Sequence, residues 1–120
     1  MHIDKDLVAA SATPLVLGIL AEGESYGYAI LKQVNDLTGG RMQWTDGMLY
    51  PLLHRMERMG WASTTWRTSD GGRRRKHYAI TDSGRALLAE RRLQWKVVAD
   101  ALNQVWPSVR LAPAPAPGWA

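Results

Sequence analysis

Four consecutive cations, Arg73-Arg74-Arg75-Lys76, follow the turn-forming stretch Thr68-Ser69-Asp70-Gly71-Gly72, and upstream of them Tyr50, His54 and Arg55 recur within one helical pattern. Guanidinium and ammonium groups bind phosphate oxygens, and tyrosine hydroxyls and imidazoles hydrogen-bond phosphates or base edges. The chemistry on offer is recognition of a polyanion. Catalysis has no comparable support. His2, His54 and His77 fall on a terminus, a helix face and a strand, and no carboxylate or hydroxyl is spaced to work with them. No phosphate loop or metal-ligand pattern occurs, and there is no cysteine. Neither an enzyme nor a bound metal or cofactor is expected.

Charge is distributed to match. Across the 120 residues the formal net charge is +4, yet residues 1–60 hold five Lys/Arg against seven Asp/Glu. Residues 61–120 hold ten against four, and half of those ten lie between Arg67 and Lys76. A localised positive patch suits a polyanion better than diffuse basicity does. Hydrophobic content of 46% and charged content of 22% are those of a globular domain. The longest apolar run, Pro14–Ala21, is too short to span a bilayer, and the acidic N-terminus carries no export signal. With no cysteine to suit an oxidising compartment, the expectation is a soluble, cytoplasmic chain without membrane contact.

The elements that must hold these residues can be read in order. Leu7–Ala21 is apolar and helical in pattern. Pro14 is read as opening a helix over 15–21, preceded by a separate helical stretch over 4–12; the alternative is one longer helix that begins near Asp4 and kinks at Pro14. Ser25 is placed to cap a second helix, Tyr26–Leu37, with Ile30, Leu31, Val34 and Leu37 on its core face. Gly39-Gly40 stops it. Thr45 caps the third helix, where Leu49, Leu52, Leu53 and Met56 share a face and Gly47, Pro51, His54 and Arg58 share the opposite one. Gly60 ends it. Trp61–Arg67 and Arg75–Ile80 alternate with a period of two and form a hairpin with the basic run at its tip. Thr81 caps a last helix from Asp82 to about Trp106. That helix carries two apolar stripes: Leu88, Trp95, Val98, Leu102 and Val105, and Ala86, Ala89, Leu93, Val97 and Ala101. Two stripes exceed what a small domain can cover, so one is expected against a second copy of the chain. From Pro107 the Pro/Ala-rich run reads as a disordered tail over 107–120.

A helix followed at once by a basic-tipped hairpin outlines a winged helix-turn-helix, an α+β, mostly α fold. The expected organisation is a DNA-binding domain over 1–81, a dimerisation helix over 82–106 and the tail. Four stretches resemble the PadR family of bacterial winged-helix regulators. They are Tyr26-Gly27-Tyr28-Ala29-Ile30; Gly47-Met48-Leu49-Tyr50-Pro51 with Arg55-Met56-Glu57 and Gly60; Gly72 to Tyr78; and Ile80-Thr81-Asp82-Ser83-Gly84. Met48 stands where the family usually has Thr, and His77 where it usually has Tyr.

The resemblance implies a homodimer on double-stranded operator DNA, the third helix in the major groove and the wings on flanking phosphates. Tyr26, Lys32, Thr45, Gly47, Tyr50, Pro51, His54, Arg55, Arg73, Arg74, Arg75 and Lys76 are the expected DNA-binding residues. The single C-terminal helix is similar to that of the family's small subfamily, which implies dimerisation through it, with Leu88, Trp95, Val98, Leu102 and Val105 as the seam that helical spacing gives. It also implies a repressor relieved by a small, flat aromatic effector at Trp95, and helical spacing sets Ala99 and Leu102 one and two turns beyond that residue. The rival reading is a winged helix serving only protein–protein contact, for which the basic run would have little use. RNA binding lacks aromatics interleaved with the basic run as stacking platforms.

Overall fold

The first helix, α1, runs unbroken from Lys5 to Ala21 with Pro14 inside it, in a computed structural model that describes residues 1–106. The expected tail over 107–120 lies outside the described residues. An interior proline forfeits a backbone hydrogen bond and costs about 3 kcal/mol. Burial on both sides of it offsets that cost, with Val8 before it and Val16, Leu17, Ile19 and Leu20 after it. The expected break at Pro14, with a separate helix over 15–21, is not found; the alternative of one longer helix is.

The second helix corrects an expectation. Ser25 does not cap it; Ser25–Tyr26 form a short strand, β1, pairing Ser25 with Tyr78 and Tyr26 with His77. The backbone is drawn into a ladder, so α2 (Gly27–Leu37) starts later, after an extended Tyr26. Ile30 and Val34 are fully buried and Leu31 packs beside them, but Leu37 is 63% exposed. Leu37 closes the final turn, just before Gly39 and Gly40, at φ +60° and +75°, lead the chain away, so nothing covers it.

Helix α3 (Asp46–Arg58) follows an extended Thr45. Leu49, Leu53 and Met56 are fully buried and Leu52 partly so, which carries the helix through Pro51. Gly60, at φ +78°, ends it in a conformation that only glycine adopts cheaply. Of the hairpin strands, β2 (Ala62–Thr68) is displaced by one residue toward the tip from its expected bounds, and β3 (Arg74–Ile80) begins one residue earlier and ends as expected. Ser69 N–H bonds Arg73 O at 2.8 Å and Gly72 takes φ +79°, so the turn tightens to Ser69–Arg73. The three strands are ordered β1-β3-β2 and antiparallel throughout. Sequence periodicity found two of them.

Thr81 caps α4 (Asp82–Val105), its Oγ1 accepting from Gly84 N–H at 3.0 Å. A side chain at Gly84 would run into the carbonyl oxygen of Trp61, so α4 crosses the foot of the hairpin at backbone contact. Leu87 and Leu88 reach the core from there. Beyond them the expected seam divides. Trp95, Ala99 and Leu102 are half-buried, while Val98 and Val105 are exposed together with Leu93, Val97 and Ala101. No helix among the described residues is long and apolar enough to cross a membrane.

Candidate nucleic-acid interface

A groove of about 480 Å³ opens between α3 and the wing, and its lining gathers residues distant in the chain. Tyr50 and His54, one helical turn apart on α3, form one wall. Trp66 and the run Arg73 to Lys76 form the other, with Tyr26 and Tyr28 at the end where β1 passes into α2. Gly27 permits this closeness. A Cβ there would stand 2.5 Å from the Tyr50 hydroxyl, so the tyrosine ring lies directly on the α2 backbone.

Pleating sorts the basic run. Side chains alternate across a strand, so Arg74 and Lys76 share the face of the buried Tyr78, and Arg75 and His77 share the other. On the first face Arg74 stacks over Trp66, 5.1 Å from its ring centre, and Lys76 Nζ lies 2.8 Å from Glu57 Oε1. Thr64 Oγ1 donates to the other Glu57 oxygen at 2.8 Å. Lys76 and Thr64 together hold the Glu57 carboxyl below its ordinary range, and Glu57 in turn raises the Lys76 ammonium. On the second face Arg75 stacks over Tyr26 at 4.5 Å, and the rings of Tyr26 and His77 lie 5.2 Å apart. Glu24 forms a two-pronged pair with Arg67, which lowers its pKa. Its Oε1 is also 3.3 Å from His77 Nδ1, close enough to attract the protonated ring though without a hydrogen bond of ordinary geometry. Burial pushes the Tyr78 hydroxyl up, leaving it neutral across physiological pH.

The expected DNA-binding residues therefore divide. Tyr26, Tyr50, His54, Arg73, Arg74, Arg75 and Lys76 are brought to one groove. Thr45, Gly47 and Pro51 stand exposed at the N-terminal part of α3. Lys32 lies on α2 in an exposed pair with Asp36 at 3.2 Å, and Arg55 turns its guanidinium over Trp61 at 5.7 Å. Neither lines the groove. Trp66, Tyr28 and Glu57 were not among the expected site residues. Trp66 shares the strand face of Ala62 and Thr64, as a period of two requires, but the helical and strand periods alone could not bring Glu57 to the wing.

A second groove, about 850 Å³, lies between α1 and α4. Pro14, Gly18 and Ala21 face Leu88, Leu93 and Trp95 across it, with Glu22, Arg92 and Lys96 at its edges. Trp95 is among its lining residues; Ala99 and Leu102 are not. Among the described residues no cluster of His, Cys, Asp or Glu could hold a metal ion.

Known proteins share this architecture. A PadR-like transcriptional regulator of Bacillus cereus superposes with a TM-score of 0.76 at 28% identity, covering 85% of this chain and 97% of that one. A PadR family regulator of Eggerthella lenta gives 0.73 at 32% identity, covering 85% and 87%. The Escherichia coli transcriptional regulator YqjI is 30% identical over 89 residues, and the match spans 74% of this chain but only 41% of that protein. The model of the transcriptional regulator PadR-like family matches residues 16–90, from the middle of α1 into α4. By fold and by sequence the chain belongs to the PadR-like family of transcriptional regulators.

Proposed function

We propose that the chain is a homodimeric, DNA-binding transcriptional repressor rather than a protein-interaction module. The observation that carries this reading is the convergence of Tyr50 and His54 on α3 with Arg73 and Arg74 on the wing, around a groove with no carboxylate in its lining. An α-helix fits the major groove of B-DNA, where α3 presents His54 to base edges while the wing cations take the phosphates beside it. Homodimerisation is supported by α4, where Leu93 and Val97 are 69% and 70% exposed and Val105 67%. Apolar area of that extent on one helix is the usual mark of an interface. An effector role is supported by the apolar groove beside Trp95, which suits a flat aromatic compound. A ligand seated between α1 and α4 would change the spacing of the two recognition helices and lower operator affinity.

Footprinting on the DNA upstream of the protein's own gene tests the reading. Two protected half-sites about 34 Å apart, one helical turn, are expected for a two-fold dimer. Uniform, sequence-independent protection at every concentration would overturn operator recognition.

A further inference from the structure

The wing's four cations occupy unlike surroundings. Arg73 and Arg74 are exposed, and among the described residues neither makes an ion pair with a carboxylate. Lys76 is different. Its side chain is only 27% exposed, its Nζ is 2.8 Å from Glu57, and it lies 5.5 Å from the centre of the buried Tyr78 ring. Glu57 belongs to the last full turn of α3, Thr64 to β2 and Lys76 to β3. One carboxylate thus ties both strands of the wing to the end of the helix that lies beside them. If Lys76 swung out to a phosphate, it would leave Glu57 uncompensated and facing a polyanion, where a bare negative charge opposes binding.

We propose that Glu57 is a positioning residue that fixes the angle of the wing against α3, and that Lys76 acts through Glu57 instead of contacting phosphate. This rests on the DNA-binding reading above. On it the wing's phosphate contacts come from Arg73 and Arg74, while Lys76 and Glu57 together add no net charge to the interface. Their contribution is to geometry: both halves of the site, helix and wing, must meet their own part of the duplex at once, and a wing hinged loosely on α3 loses that register.

The test removes the pair together, so that no unmatched charge is introduced. For the full chain with Glu57→Ala and Lys76→Met, operator affinity should fall about tenfold, a loss of about 1.4 kcal/mol. Affinity for random DNA and the salt dependence of binding should stay as in the wild type. A charge-swapped chain, Glu57→Lys with Lys76→Glu, should recover most of the operator affinity. Two results would overturn the proposal: a salt slope reduced by about 0.9 with equal losses on operator and random DNA, the sign of a lost phosphate contact, or no recovery in a charge-swapped chain that retains the wild-type circular dichroism. Failure of the wild-type chain to prefer any DNA would instead sink the functional reading itself, so the two failures are distinguishable.

Discussion

The α3–wing groove and the outer face of α4 are both exposed and both built from residues a core does not need, but they are finished to different degrees. In the groove region most charged or aromatic groups have a partner within the chain: Arg74 on Trp66, Arg75 on Tyr26, Lys76 on Glu57 and Arg67 on Glu24. The α4 face has Val97 and Val105 largely in solvent. The first surface is preorganised by one copy of the chain; the second is left open. A polar surface can be assembled within a protomer because hydrogen bonds and stacking fix each side chain individually. An apolar stripe gains nothing until another apolar surface removes it from water.

The sharpest way to break this contrast is to place charge on the open face. With Val97→Asp and Val105→Asp, both at exposed positions, the protomer should keep its fold but sediment as a monomer. Operator affinity should then drop by about 10²–10⁴-fold, because two linked half-site contacts become independent. A variant that still sediments as a dimer would show that the exposed stripe is not the interface.

Within the groove the comparison is sharpened by neighbours in sequence. His54 lines the groove and Arg55 rests on Trp61, so the two should behave differently. His54→Ala should cost about 1–3 kcal/mol on operator DNA and little on random DNA, as a base-reading contact does. Arg55→Ala should show in the melting temperature more than in operator preference. Equal losses in operator affinity from both substitutions would mean that the groove does not select which residue reads DNA.

The smallest expected effect comes from acid. Glu24 and Glu57 both ionise below the usual carboxylate range, chiefly through hydrogen bonds from Arg67 and Lys76. A lowered folded-state pKa contributes stability that is fully present above the unfolded value and is lost as pH falls through the folded one. Thermal melting followed downward through the carboxylate range should therefore show a mild decline, flatter in a Glu24→Gln, Glu57→Gln chain. A decline of equal steepness in that chain would remove both pairs from any role in anchoring the wing. Both pairs are partly exposed, which is why the effect should be small and should shrink further in salt.

The sequence was a good guide wherever a local rule was enough. The helical spacing of Leu49, Leu53 and Met56 set the buried face of α3, the period of two marked both hairpin strands, and Thr81 capped α4 as its side chain predicts. Those features depend on residues within a turn or a strand of each other, where periodicity is a sufficient description. The pairing of β1 with β3, the path of α1 through Pro14 and the meeting of Glu57 with Lys76 belonged to the tertiary structure. Each depends on contacts between segments that no local period connects. A two-residue strand has no pattern to read, a proline's cost is answered by burial elsewhere, and a carboxylate near the end of a helix finds its lysine only once the hairpin has folded back beside it. The stripes of α4 lie between these cases. Their apolar character was written in the chain, but which residues line the groove with α1 and which stay in solvent is seen only once α4 is packed against α1.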